Sequence, residues 1–188
     1  IASKGWNNIG GRGVAPNAGL VGYNILYGYS YYNEAWSWGL DNNLAIDTDI
    51  FNMSYGSRLY LNDESTFNFP SFNTPNDFQL ASLIYGTSNL REGKGGIYVK
   101  SMGNDFRKNP TNGFSCGEEG EDDNGQMSCS IRFHDTTNTL PYIIGVAALG
   151  ADGEKSSYST TGPSVWVSGF GGEYGLNEDF IGSGYSSH

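Results

Sequence analysis

The chain is poor in positive charge. Lys and Arg number 10 against 20 Asp and Glu, a formal net charge of −10. That shortage excludes the basic footprint with which proteins grip nucleic acid or an anionic membrane surface, so neither is expected as a partner. Long apolar runs are missing too, with nothing near the roughly 18 residues of a membrane-spanning helix. Cysteine is scarce, with only Cys116 and Cys129, set around a polar, Gly-rich acidic loop. The pair lacks the C-x-x-C spacing of a zinc site. A local disulfide is favoured over two free thiols. It would close a loop of about 14 residues and contribute roughly 3 kcal/mol. It would also imply an oxidising compartment, hence a secreted, periplasmic or extracellular protein. There is no initiator Met and no signal peptide. Ile1-Ala2-Ser3-Lys4 reads as the tail of a helix, so the chain is expected to be cut from a longer one.

What is present suits one domain. The length of 188 residues allows a sizeable core. Apolar residues make up 37% and aromatics 14%, too aromatic for a disordered chain. Glycine, at 28 residues, announces many turns and close backbone approaches. The acidic balance suits a soluble extracellular protein or one that holds calcium.

Short apolar runs alternate with helical stretches. Gly19–Leu26 follows the turn signal Gly13-Val14-Ala15-Pro16 and reads as a buried strand. Tyr31–Asn43 reads as an aromatic helix capped by Asn33. Asp49–Tyr55 reads as a strand ending at Gly56. Asp77–Leu90 is the best helix, with Phe78, Leu80, Ala81, Leu83, Ile84 and Leu90 at helical spacing. Gly93, Gly95 and Gly96 stop it. Ile97–Ser101, Tyr142–Ala148 and Val165–Ser168 read as further strands, and residues 57–76 and 105–138 as surface insertions. This alternation predicts α/β architecture with a mostly parallel sheet. In such sheets functional groups gather where strands end, here after Tyr55, Ser101 and Ala148.

Those strand ends carry a family signal. Asn52-Met53-Ser54-Tyr55-Gly56 resembles the N-M-S-x-G strand of the subtilisin-like serine peptidases. Ser101-Met102-Gly103-Asn104 resembles their S-A-G-N, and Gly13–Ala18 their G-V-A-P-x-A. Pro141–Ala148 with Ser156–Gly162 resembles the strand and F-S-x-x-G turn that follow. The matches cover residues 1 to about 172, in order. Lys94-Gly95-Gly96 and the inserted loop resemble the kexin and furin-like branch, including its bacterial relatives. The resemblance implies a three-layer α/β sandwich, of which residues 1–188 are the central part. It also implies hydrolysis of peptide bonds by an Asp–His–Ser mechanism. The family's Asp and H-G-T histidine lie before Ile1. Its nucleophile lies in G-T-S, which is read as having no counterpart in this chain, the sequence stopping at His188 short of it.

The resemblance assigns roles residue by residue. Asn104 becomes the oxyanion donor, the one catalytic group retained; a turn-forming Asn after Gly103 is the bland alternative. Ser54, Tyr55 and Gly56, with Ser101, Met102 and Gly103, become walls of the S1 pocket, whose backbone pairs with an extended peptide or protein substrate. The alternative is plain strand ends. Met102 departs from the usual Ala, and its thioether would narrow or reshape the pocket. Asp135, seven residues before Tyr142, falls level with the acid at the base of the furin-like S1 pocket, which would select Arg or Lys; otherwise it is a solvated loop residue. Asn7, Ile9 and Gly11 match the family's calcium loop. Calcium takes six to eight oxygens, so only a half-site is expected here, its carboxylate lying upstream. Glu118, Glu119, Glu121, Asp122 and Asp123 read as a solvated face, or as a second cation site. Asp47 and Asp49 read as structural. His134 and His188 are not in H-G-T, and no serine is read in G-T-S or G-x-S-x-G, so no triad is assembled from them with Ser54 or Ser159. The isolated chain should therefore be inactive, its missing N- and C-terminal parts being partners from its own domain. The rival reading is a non-catalytic binding or structural module on the same scaffold.

Overall fold

The computed structural model describes residues 1–56, 75–104 and 136–172. The expected insertions fall almost wholly outside these. So do Cys116, Cys129, Asp135, both histidines and the acidic run.

Four parallel strands form the sheet: β1 Ile50–Met53, β2 Ile97–Ser101, β3 Ile143–Leu149 and β4 Val167–Phe170, side by side in that order. Two helices accompany them, α1 Tyr31–Ser37 and α2 Asp77–Gly93. Parallel neighbours need a crossover, and α2 supplies the one from β1 to β2. The register aligns Phe51 with Tyr98 and Tyr98 with Ile143, so these three share one face. That face is the core, with Trp38, Ala45, Met53, Leu83 and Leu90 packed against it. Phe51 and Tyr98 stack with ring centroids 4.6 Å apart and 9° between planes.

Both helix starts follow from local chemistry. Ser30 caps α1, its Oγ accepting from the Asn33 N–H at 3.1 Å. The expected cap, Asn33, instead lies inside the helix and donates from its side chain to the Gly28 carbonyl at 3.0 Å. The helix is also shorter than expected. Gly39, at φ +106°, ends it, and a Cβ there would stand 2.8 Å from Leu90 Cδ1. α2 opens with a capping box: Asn76 Oδ1 accepts from Phe78 N at 2.9 Å, and Gln79 Oε1 accepts from Asn76 N at 2.7 Å. Its regular turns end at Leu90. Arg91 and Glu92 then turn left-handed, at φ 56° and 58°, at a cost of roughly 1–2 kcal/mol each. Arg91 offsets this by tying three segments together. Its N–H donates to the Ile46 carbonyl at 2.8 Å. Its Nη1 donates to the Gly95 carbonyl at 3.0 Å and its Nε pairs with Asp49 at 2.6 Å. Asp49 is thus structural, as expected.

Three expectations are corrected. Gly19–Leu26 is not a strand: Leu20, Val21 and Leu26 are exposed, because no described strand offers it a ladder. Ile1–Lys4 is not helical; Ser3 and Ile1 accept backbone bonds from Gly13 and Ala15 at 2.9 and 3.1 Å. The buried stripe of α2 is Gln79, Ser82, Leu83, Gly86 and Leu90, while Phe78 and Ile84 face outward. The sheet explains the last case. Tyr98 reaches up to α2, so the helix must present a small residue there. A Cβ on Gly86 would collide with the Tyr98 hydroxyl, which donates to the Trp38 carbonyl at 2.6 Å.

The opposite face of the sheet carries Ile50, Ile97 and Val167, all substantially exposed. Parallel sheets ordinarily bury both faces. The described helices form one layer, and among the described residues nothing covers this second apolar face.

Gly86→Ala should destabilise the protein by about 1–3 kcal/mol through overpacking. Removing the opposing hydroxyl, in Gly86→Ala with Tyr98→Phe, should recover part of that loss in chemical denaturation.

Candidate functional site

Because all four strands run the same way, their carboxyl ends lie along one edge. Three loops meet there: Ser54–Gly56 after β1, Met102–Asn104 after β2, and the turn after Leu149. The sequence singled out all three strand ends, and its motifs the first two. The structure brings them together, since Met53 pairs with Lys100, one residue before the first loop and two before the second.

Ser54 and Gly56 are exposed and Tyr55 is half-buried. The Tyr55 ring is held from behind. Trp38 Nε1 donates to its hydroxyl oxygen at 2.8 Å, and the hydroxyl bonds to the Glu34 carboxylate. Glu34 is 4% exposed, and its Oε2 accepts from Tyr29 Oη at 2.8 Å and Gln79 Nε2 at 2.6 Å. One buried carboxylate thus joins α1, α2 and the loop after β1. Burial, and secondarily the negative charge of Glu34, pushes the Tyr55 phenol above the usual tyrosine range. Sequence reasoning missed this knot. The available signal was polar Glu34 and Gln79 at inward helical positions.

At the β2 end, Gly103 takes φ +91°, which turns the chain out of the sheet. Asn104 follows, exposed, and its amide makes no hydrogen bond to any described residue. Met102 points the other way. It is fully buried, its sulfur beside Gly145 of β3. Its thioether does not face the open edge, so the expected narrowing of a pocket by this side chain has no counterpart among the described contacts. The segment Ser156–Gly162 clamps both strand ends from above. Thr160 N donates to the Gly103 carbonyl at 3.1 Å, and Ala148 N donates to Ser159 Oγ at 2.8 Å. Ser156 Oγ donates to the Gly172 carbonyl at 2.6 Å. Ser156, Ser159 and Thr160 are buried, which makes them braces rather than nucleophiles.

Two serine motifs correct the expectation that none is present. Gly86-Thr87-Ser88 reads G-T-S, but it lies in α2 near the lead-in to β2, at the opposite end of the sheet from Asn104. Thr87 Oγ1 there donates to the Leu83 carbonyl at 2.7 Å, as helix threonines do. Ser115 reads G-x-S-x-G within Gly113–Gly117 and lies outside the described residues.

Asn7, Ile9 and Gly11 sit on an exposed loop, away from this edge in sequence. Trp6, Asn8 and Gly10 alternate left-handed φ values of 64°, 60° and 56°. Asn7 Oδ1 accepts from Ile9 N at 3.2 Å, and Ser3 Oγ donates to the Gly11 carbonyl at 2.8 Å. Lys4 and Arg12 line the hollow of about 140 Å³ that the loop encloses. No Asp or Glu precedes Glu34. Among the described residues no cluster of acids, His or Cys could hold a metal. Three neutral oxygens beside two cations do not by themselves fit calcium.

A parallel α/β sheet with an exposed amide at its carboxyl edge is an architecture that serine hydrolases use. The comparisons narrow that class: the model of the subtilase family, peptidase S8, matches residues 1–178, and the chain belongs to that family. The extracellular serine protease of Aeromonas sobria is 33% identical over 174 residues, 91% of this chain and 26% of that protein. Kexin of Saccharomyces cerevisiae is 31% identical, over 100% of this chain and 20% of its own length. The crystal structure of the Aeromonas sobria serine protease superposes with a TM-score of 0.65 at 28% identity, over 87% of this chain and 26% of that one. The same figures hold for that protease in complex with the chaperone. The chain therefore spans about a quarter or less of the relatives it matches. These likenesses agree with the expected three-layer α/β fold and the kexin-like branch.

The direction of the Tyr55 shift fixes a pH dependence. A phenol raised above its unfolded value contributes stability that is complete below about pH 10 and is lost as pH rises through the folded value. Thermal melts above about pH 9 should show the midpoint falling. Tyr55→Phe should start from a lower midpoint and fall less steeply; an equal slope would exclude Tyr55 as a source.

Proposed function

We propose that this chain is the part of a secreted serine endopeptidase that supplies the oxyanion donor and the walls of the substrate cleft. The observation that carries the reading is Asn104, exposed and free of hydrogen bonds to described residues, beside Ser54–Gly56 at the sheet's carboxyl edge. During acyl transfer, negative charge grows on the substrate's carbonyl oxygen. A waiting amide N–H stabilises that charge more in the transition state than in the bound substrate. Ser54 and Gly56 lie exposed beyond the last β1 pairing, and backbone there would pair with an extended peptide, with Ser101 and Gly103 as the facing wall. Family membership and the name of the Aeromonas relative support a peptidase acting outside the cell. No helix of the described residues is long and apolar enough to cross a membrane.

The triad belongs to the rest of the domain in this reading. The open edge of β1, the exposed run Gly19–Leu26 and the second apolar face of the sheet are what that remainder would cover. Asp135 would sit at the base of the S1 pocket and select Arg or Lys. The Asn7–Gly11 loop would lend three oxygens to a calcium ion whose carboxylates come from elsewhere. Calcium then stabilises the full-length enzyme against heat and leaves the isolated chain unchanged; a calcium-dependent shift in the isolated chain overturns this role.

Asn104→Ala in the full-length enzyme should lower kcat by about 10²–10³, a magnitude taken over from subtilisin's own oxyanion asparagine rather than derived from this chain. Asp135→Asn should remove most of the preference for Arg over neutral P1 residues. The isolated chain should neither cleave peptides nor take up a fluorophosphonate; time-dependent labelling would defeat the reading.

A further inference from the structure

An oxyanion donor works only if it is held within about half an ångström of its working position. Asn104 makes no hydrogen bond to described residues, and among these the two residues before it are what tie it to the sheet. Met102 N donates to the Val146 carbonyl at 3.0 Å, and the Gly103 carbonyl accepts from Thr160 N at 3.1 Å. The first is a ladder bond to β3 and restrains sliding along that strand more than movement toward or away from the sheet's face; the second is a single bond to the segment that clamps the strand end.

That second movement is governed by packing. Met102 is 0% exposed. A Cβ on Gly145 would stand 2.6 Å from Met102 Sδ and 3.5 Å from its Cγ, and would collide with the Ser164 carbonyl. Gly145 is therefore a notch, walled by the lead-in to β4 and filled by the Met102 thioether. Trp166 N closes the far side, donating to the Gly145 carbonyl at 2.9 Å. The notch lies one residue before Val146, whose carbonyl binds Met102. Seating the sulfur thus sets the height of the strand end from which Gly103 turns outward.

We propose that Met102, seated in the Gly145 notch, is a positioning residue that sets the placement of Asn104; the inference rests on the oxyanion reading of Asn104. A shorter side chain leaves a void into which the strand end relaxes. The donor then moves by a fraction of an ångström, which costs rate rather than substrate affinity.

The test is a double-mutant cycle in the full-length enzyme. Met102→Ala should lower kcat at least about tenfold and leave KM within about twofold. Met102→Leu, which conserves volume, should keep kcat within about threefold. Leu83→Ala, also fully buried but on α2, should lower the melting temperature and spare kcat. In an Asn104→Ala background, Met102→Ala should cost less than about twofold further. If Met102→Ala does not fold, Met102→Ile, which moves the branch to Cβ, carries the same cycle. Unchanged kcat in the Met102 variant, or the same loss with and without Asn104, overturns the inference alone. Unchanged kcat in Asn104→Ala overturns both it and the oxyanion reading.

Discussion

The Tyr98 hydroxyl donates to the Trp38 carbonyl at 2.6 Å, beneath a glycine of α2 with no room for a methyl group. This contact joins the last turn of α1 to the middle of the sheet and passes directly beneath α2. Burial pushes the phenol above its usual range, so it remains a donor at any ordinary pH. Its ring stacks on Phe51, which seats β1 against β2. With the strand starts fixed there and the ladder in register, the strand ends are fixed as well. The edge that carries Ser54–Gly56 and Asn104 owes its alignment to a contact at the other end of the strands.

Two polar arrangements carry that alignment to the edge itself. On one side Glu34 gathers Tyr29, Gln79 and Tyr55, with no cation bonded to it among the described residues. A buried carboxylate is costly unless its oxygens are satisfied, so losing any partner leaves desolvated charge behind. On the other side Ser159 and Thr160 bond to the ends of β3 and β2. Hydrogen bonds of this kind contribute about 1 kcal/mol each. Their larger effect is directional, since they permit few alternative positions for the strand ends.

The sheet was legible in the sequence because short apolar runs flanked by glycine or polar residues have few other uses. Ile97–Ser101 is observed as read, and Ile143–Leu149 differs by one residue at each end. The start of α2 was legible from Asp77 onward. Its buried face was not, because periodicity reports which residues are apolar and not what they meet. Opposite Tyr98 the helix needed Gly86, and opposite Glu34 it needed Gln79, so hydrophobic Phe78 and Ile84 were turned outward. Gly19–Leu26 failed for a related reason. Its composition suits a strand, but a strand exists only with a neighbour to bond. The motif singled out Asn104, and the structure leaves it exposed at the strand end. The motif also singled out Met102, but a motif match says nothing about which face a side chain takes, and this one turns into the core.

Alternation decides that face, and it separates two functions within four residues. Tyr98, Lys100 and Met102 point toward one side of β2, and all three are buried. Ser101 points the other way, and beyond Met102 the positive φ of Gly103 breaks the alternation and releases Asn104 into solvent. A residue with a Cβ would hold that φ only with strain. Met102, Gly103 and Asn104 therefore divide into anchor, hinge and presented group. The anchor needs volume, the hinge needs the absence of a side chain, and the presented group needs an amide. The departure from alanine at 102 belongs to the anchor, whose size is matched across the ladder by the absence of a side chain at Gly145.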